Sequence, residues 1–315
     1  MILITGAMGF IGLEVASQLA VEGEKLLLGY NRTRPADADL PAVLSAMPAE
    51  RIDVASPYAV TRAVRTHDVE SIVHLAVPGL GALPVAEETS TAVGGLVNVL
   101  EAAHASGVRR VTVASSLAVY AGLEDGPFRE DRDLPVHSPS ATSAMKKAEE
   151  ILALHYADRT GLDVVLLRIA VIYGPRYHTL ANLAGRLVHQ AVRGGLPANR
   201  VRPWTNEQLG GGLDLCYVTD CARAIARIHT APTTQHRIYN VGAGRPPVGA
   251  RELVAAVREV VPEADLPDLP ACAAPIGADR YMDTTRVRDE FGLVPQFSVT
   301  DGVRDYVAWL RDHEL

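Results

Sequence analysis

Three glycines spaced three apart, in Gly6-Ala7-Met8-Gly9-Phe10-Ile11-Gly12, stand between an apolar run from Met1 to Thr5 and an amphipathic stretch from Leu13 to Glu22. The first two let a strand turn tightly into a helix and let an anion approach backbone N–H groups at the positive helix end. The last lets helix and strand pack closely. Val15, Ala16, Leu19 and Ala20 recur at helical spacing, and Gly23 follows where a C-terminal cap belongs. The spacing predicts a strand–turn–helix that cradles the pyrophosphate of a dinucleotide with Gly6, Met8, Gly9, Phe10, Ile11 and Gly12.

The same rhythm continues along the chain. Strands are expected at Lys25 to Tyr30, Ser71 to Val77, Arg110 to Ser115 and Asp163 to Val171, with helices at Ala92 to Ser106 and Ala141 to Arg159. Runs such as Ile72-Val73-His74-Leu75-Ala76 and Val164-Val165-Leu166-Leu167 are apolar on both faces, as a parallel sheet covered by helices requires. The expected fold class is α/β, a Rossmann-type doubly wound parallel sheet with a smaller C-terminal substrate-binding lobe. After Pro175 the rhythm gives way to a Gly- and Pro-bearing region, Arg176 to Gly212, with one helix from Leu180 to Val192. Further helices are expected at Cys221 to Ile228, capped by Asp220, at Ala250 to Val261 and at Thr300 to Leu310. The expected division is a cofactor domain over 1–175, to which 213–247 return, and a substrate or lid lobe over 176–212 and 248–315.

Composition removes several classes. The net charge of −7 and scattered Lys and Arg leave no basic stripe for nucleic acid. Three cysteines without a C-x-x-C pair suggest neither a metal site nor a disulfide framework. No run of about 18 apolar residues occurs, and the apolar N-terminus is already used by a strand, so a cytoplasmic protein without membrane contact is expected.

An acidic residue at the end of the second strand of a dinucleotide fold accepts hydrogen bonds from the adenosine ribose. Here Leu26-Leu27-Leu28 leads into Gly29-Tyr30-Asn31-Arg32-Thr33-Arg34, with no carboxylate. Its absence removes repulsion of a 2′-phosphate, and Arg32 and Arg34 are suited to pair with one. The expected cofactor is therefore NADP(H), with Asn31 beside the arginines and Asp53 and Val54 near the adenine.

These residues resemble the extended short-chain dehydrogenase/reductase family, which includes nucleotide-sugar epimerases and dehydratases. The likeness runs through Thr5 to Gly12, Val73-His74-Leu75-Ala76-Val77, Ser115-Ser116-Leu117-Ala118-Val119-Tyr120, Leu167 to Arg176, Tyr217-Val218-Thr219-Asp220 and Tyr239 to Gly244. It implies cofactor contacts at Leu75, Ala76 and Val77. It also implies a catalytic set of a serine after the fifth strand and a Tyr-x-x-x-Lys on the next helix. Ser116 matches the serine and Lys146 the lysine, because Glu150-Ile151-Leu152 follows Lys146 as in the family. The position four before Lys146 is Thr142, and four before Lys147 is Ser143, so neither register supplies a phenol. Family helices corresponding to Ala92–Ser106 and Ala141–Arg159 allow a homodimer.

The missing phenol has chemical consequences. A tyrosine beside a lysine cation can exchange a proton near neutral pH, whereas an aliphatic hydroxyl has no usable ionisation. Abstracting a proton from an unactivated sugar suffers most. Reducing a ketone suffers less, because the developing alkoxide needs only stabilisation and then a proton from water or substrate. The combination resembles the angucyclinone ketoreductases of aromatic polyketide assembly. It implies NADPH-dependent reduction of a small-molecule ketone, with Ser116, Thr142 and Lys146 at the reacting carbonyl and Lys146 also on the cofactor. The alternatives are a nucleotide-sugar epimerase or dehydratase with a displaced tyrosine and a non-catalytic NADP-binding regulator. Tyr120, Tyr156, Tyr173, Tyr177, His178 and above all His137 are the candidate substitutes for the proton donor. An apolar lid face of Leu180, Leu183, Leu187 and Val188 with Trp204 favours an aromatic ketone, while Arg193, Arg200 and Arg202 keep a sugar nucleotide in view.

Overall fold

The apolar runs form strands that meet in one sheet, with helices between them. The computed structural model describes residues 1–32, 40–177, 179–196, 212–266 and 279–313. Its elements are β1 (Ile2–Thr5), α1 (Phe10–Val21), β2 (Leu26–Tyr30), β3 (Ala49–Arg51), α2 (Pro57–Thr66), β4 (Ser71–His74), α3 (Val85–Thr89), α4 (Gly95–Ala105), β5 (Arg110–Ser116) and α5 (Ala141–Thr160). They continue with β6 (Asp163–Ile169), β7 (Val171–Tyr173), α6 (Leu183–Arg193), β8 (Gly212–Leu213), β9 (Leu215–Tyr217), α7 (Val218–Thr230), β10 (Ile238–Val241), β11 (Val248–Gly249), α8 (Ala250–Val260), α9 (Thr285–Phe291) and α10 (Val299–Asp312).

Among the described residues, seven strands form a sheet in the order β10-β6-β5-β4-β1-β2-β3. Pairing is parallel from β3 to β6, with Ile2 opposite both Leu26 and Ser71, Ser71 opposite Arg110, and Arg110 opposite Asp163. The order reverses at β1, which lies between β2 and β4. That is the switch point beyond whose strand ends an open α/β sheet forms its ligand crevice. The sheet buries Leu3, Leu27, Ile72, Val111 and Val164 against Leu96, Val99 and Leu100 of α4 and Ala153 of α5. The two-sided apolar strands of the sequence thus become a helix-covered sheet.

The chain divides into two units, one of Met1–Leu123, Asp133–Ile169 and Ala222–Tyr239, the other of Glu124–Arg132, Ala170–Cys221 and Asn240–Leu315. In the first, buried Arg110 donates to Asp163 at 2.8 Å and to the Ile228, His229 and Ala231 carbonyls, closing the C-terminal end of α7. In the second, β7 pairs with β9 and β8 with β11, while α6, α8 and α10 pack together.

Several expectations are corrected here. The strand expected to run from Asp163 to Val171 breaks at Ala170, whose N–H donates to Val241, and Val171–Tyr173 pairs with Leu215–Tyr217 instead. The helix expected from Leu180 starts at Leu183 because the Asn182 side chain accepts the Gly185 N–H at 2.8 Å. Its apolar face is interior to the second unit: Leu183, Leu187 and Val188 are buried, as are Leu253 and Val257 of α8 and Tyr306 and Leu310 of α10. Arg193 donates to the Leu310 carbonyl at 2.7 Å, so it is committed to the end of α10. Asp220 lies inside α7 rather than before it, and its carboxylate accepts the Gln296 and Phe297 amides. Trp204, Arg200 and Arg202 lie outside the described residues, as do Arg34 and His178. Among the described residues no helix is long and apolar enough to cross a membrane, and no cluster of three His, Cys, Asp or Glu is placed to hold a metal.

Candidate active site

The glycine turn is built as tightly as its spacing implies. Gly6 adopts φ +73°, and a Cβ there would meet the Ala76 backbone nitrogen at 2.9 Å. A Cβ on Gly12 would overlap the Gly6 carbonyl oxygen and come within 2.9 Å of Ala7 Cα. Ala7 N–H donates to Gly29 at 3.0 Å and Leu75 N–H to Thr5 at 3.1 Å, tying the turn to β2 and to the continuation of β4. Gly9 caps α1 without a side-chain hydrogen bond, and the first helical turn carries no acidic residue. An uncapped helix start of this kind favours an anion. Met8, Phe10 and Ile11 are half-buried around it, and Leu75, Ala76 and increasingly exposed Val77 form the facing edge.

At the end of β2, the buried Oδ1 of Asn31 has no hydrogen-bond partner. An orphaned buried acceptor there suits a ribose hydroxyl. Arg32 is exposed and its guanidinium stands 3.8 Å from the Glu87 carboxylate of α3. Asp53 accepts the Ala55 N–H at 3.1 Å in the turn that leads into α2, and the Val54 carbonyl accepts from Asn98 at 2.9 Å.

On the catalytic side, Ser116 ends β5 and its Oγ accepts the Ala118 N–H at 3.1 Å, which leaves its own proton to donate. Ser140 caps α5 by accepting the Ser143 N–H at 3.1 Å, so Thr142 lies in the first turn and Lys146 one turn later on the same face. Lys146 Nζ donates to the Ala114 carbonyl at 2.8 Å and to Glu149 Oε2 at 2.7 Å. Lys147 points elsewhere: its ammonium is surrounded by the Ala121, Pro135 and His137 carbonyls, and burial pushes its pKa down. Of the two lysines, Lys146 is the one aimed at the sheet.

Behind Lys146 lies a polar network that the sequence reading did not anticipate. His74 of β4 bonds Thr5 Oγ1 through Nδ1 at 2.7 Å. Burial first, and then the Lys146 cation, lower its pKa to about 3, so it is neutral. Glu150 is chelated by Arg168 of β6 at 2.7 and 3.0 Å and accepts the Ser115 hydroxyl at 2.5 Å. Glu150 entered the sequence reading only as part of the family pattern after Lys146, and the signal for Glu149 was its i+3 spacing from that lysine.

The four candidate tyrosines are engaged in other ways. Tyr120 is buried and accepts from Arg168 at 2.9 Å. Burial, and then Glu101, push Tyr156 up to about 12. Tyr173 donates to the Val299 carbonyl at 3.4 Å, and Tyr177 accepts the Asn182 N–H at 3.2 Å. His137 is exposed.

The sequence pattern of the NAD dependent epimerase/dehydratase family matches residues 2–242. The dTDP-glucose 4,6-dehydratase of Streptomyces griseus is 31% identical over 228 residues, 71% of this chain and 65% of its own. The dTDP-4-dehydro-6-deoxy-D-allose reductase of Streptomyces bikiniensis is 26% identical over 328 residues, 99% of this chain and 96% of its own. The solved structure of the Thermus thermophilus UDP-glucose 4-epimerase in complex with NAD is 27% identical with a TM-score of 0.79, covering 98% of both chains.

Proposed function

Since the chain belongs to the NAD dependent epimerase/dehydratase family, a family of nicotinamide-dependent oxidoreductase type, we propose that it is a reductase of a small-molecule ketone that works without a side-chain phenol. The observation that carries this reading is the face of α5, where the residue one turn before Lys146 is Thr142. A threonine hydroxyl can orient a carbonyl oxygen but does not ionise near neutral pH.

The residues present suit a nicotinamide dinucleotide. The uncapped start of α1 and the close-packed Gly6 and Gly12 would hold its pyrophosphate, the orphaned Asn31 acceptor its adenosine ribose, and the loop after Ile52 its adenine. We assign the phosphorylated form, NADP(H), because Asn31 rather than a carboxylate stands at the end of β2 and the next residue is the exposed Arg32. When bound, the group supplies a hydride. Ser116 Oγ donates a hydrogen bond to the substrate oxygen as negative charge develops there, and Thr142 helps orient it. Lys146 holds its ammonium at the strand ends against Ala114. The proton then comes from a hydroxyl of the substrate beside the ketone, or from water. A ketone flanked by a phenol, as in an aromatic polyketide, meets that need best, because an internal hydrogen bond already stabilises the alkoxide.

The kinship to a dTDP-glucose 4,6-dehydratase and a UDP-glucose 4-epimerase favours a second reading, redox-neutral chemistry on a sugar nucleotide. Nicotinamide absorbance decides between them. The purified protein with NADPH is expected to oxidise it when given phenol-flanked aromatic ketones, and Thr142→Val is expected to keep much of that rate. Sugar-nucleotide interconversion without net NADPH use, or complete loss of reduction in Thr142→Val, would sink the proposal. We also place a homodimer contact on α4 and α5, where Ile151 is 68% exposed beside exposed Leu152.

A further inference from the structure

Thr142 and Lys146 share one face of α5, one turn apart. An unpaired ammonium there would strengthen an acid at position 142 by roughly ten- to a thousandfold, since an opposite charge within a few ångströms favours the ionised form. The Lys146 ammonium is not unpaired. Glu149, whose side chain is only 6% exposed, puts Oε2 2.7 Å from it. Glu150, the next acid along, belongs to Arg168 and Ser115. The buried charges of this face are therefore paired, Lys146 with Glu149 and Arg168 with Glu150. Among the described residues, His74 of β4 beside it is neutral, the Tyr120 hydroxyl accepts from Arg168, and the neighbouring Lys147 ammonium is held by the Ala121, Pro135 and His137 carbonyls. Burial pushes the Glu149 carboxyl up and Lys146 pulls it back down, as expected of an acid held in place by its cation.

We propose that Glu149 is a positioning residue that anchors Lys146 and cancels its charge along α5, so that position 142 lacks the electrostatic field needed to activate a proton donor as well as the donor itself. Nothing in this depends on which substrate is reduced, because it concerns the protein without ligands. A tyrosine at position 142 is then insufficient, and activating it requires removing Glu149 as well.

The test reads the titration of a new phenol in the ligand-free protein, as phenolate absorbance of each variant minus that of its threonine parent. Thr142→Tyr is expected to titrate near about 10, the ordinary tyrosine range. Adding Glu149→Gln is expected to make that phenol at least about tenfold more acidic. Adding Glu149→Asp instead, which keeps the charge, is expected to return it towards the single variant. A phenol already about tenfold more acidic in Thr142→Tyr alone, or one indifferent to Glu149→Gln, would overturn the proposal. Should the Gln variant not fold, as judged by circular dichroism, Thr142→Tyr with Lys146→Met carries the test. Lys146→Met is combined there with Glu149→Gln so that both charges of the pair are removed; the phenol is then expected to match that of Thr142→Tyr, and one about tenfold weaker as an acid would show that Lys146 had been acting uncancelled.

Discussion

Replacing Asp214 by asparagine removes a carboxylate that the second unit buries at a measurable cost. Asp214 follows β8 and is 3% exposed; its Oδ2 accepts the Met282 N–H at 2.8 Å, while Oδ1 makes no well-formed hydrogen bond. Burial pushes its pKa from 3.8 to about 6, against the opposing pull of the Met282 and Ala243 amides and of Arg245. Because the folded value lies above the unfolded one, the folded state holds the proton more tightly. The associated stability is fully present below about pH 4 and is lost as pH rises through about 6. A gap of about two units at about 1.4 kcal/mol per unit makes the loss about 3 kcal/mol. The asparagine of Asp214→Asn carries no charge and can still accept the Met282 amide, but its own NH2 inherits the position without a well-formed hydrogen bond at about 1–3 kcal/mol. The two effects nearly offset at pH 8, so the diagnostic is the slope. Urea unfolding at half-unit steps from pH 4 to 8 is expected to show wild-type stability falling across pH 4–6 more steeply than that of Asp214→Asn, by about 3 kcal/mol in total. Parallel pH profiles for the two proteins would refute the reasoning.

Arg32→Ala combined with Arg34→Ala is expected to narrow the preference for NADPH over NADH by about tenfold, and an unchanged ratio of binding constants would remove the 2′-phosphate assignment. Gly12→Ala sets a Cβ against the Gly6 carbonyl oxygen, so dinucleotide binding measured by calorimetry is expected to fall at least about tenfold, or the fold to fail. Arg168→Met leaves Glu150 buried without its cation and is expected to cost about 3–5 kcal/mol in chemical unfolding, whereas a loss under about 1 would show that the pair is dispensable.

Much of the architecture was legible because its causes are local. Glycine spacing, two-sided apolar strands and helical periodicity act between near neighbours, and they yielded the strand–turn–helix of β1 and α1 and the sheet of β4, β5 and β6. Strand ends were less legible. Ile169 and Val171 read as one apolar run, yet whether Ala170 bonds Val241 or continues the strand depends on a partner some seventy residues away. The same holds for α6, whose apolar face is that of a lid and of a core helix alike until α8 and α10 cover it. Thr142 in place of a phenol was legible through the family resemblance, by counting four residues back from Lys146.

The order of elements, the glycine cradle, the lack of an acid at the end of β2 and the threonine one turn before Lys146 all follow from the amino-acid order alone. Which charges meet was settled in three dimensions. Glu149 takes Lys146, Glu150 takes Arg168, Lys147 is spent on carbonyls and Asp214 is buried with one oxygen lacking a well-formed hydrogen bond. Backbone conformation is set by neighbours along the chain. The energy of a charge is set by whatever the fold brings within a few ångströms of it and by how much water it removes.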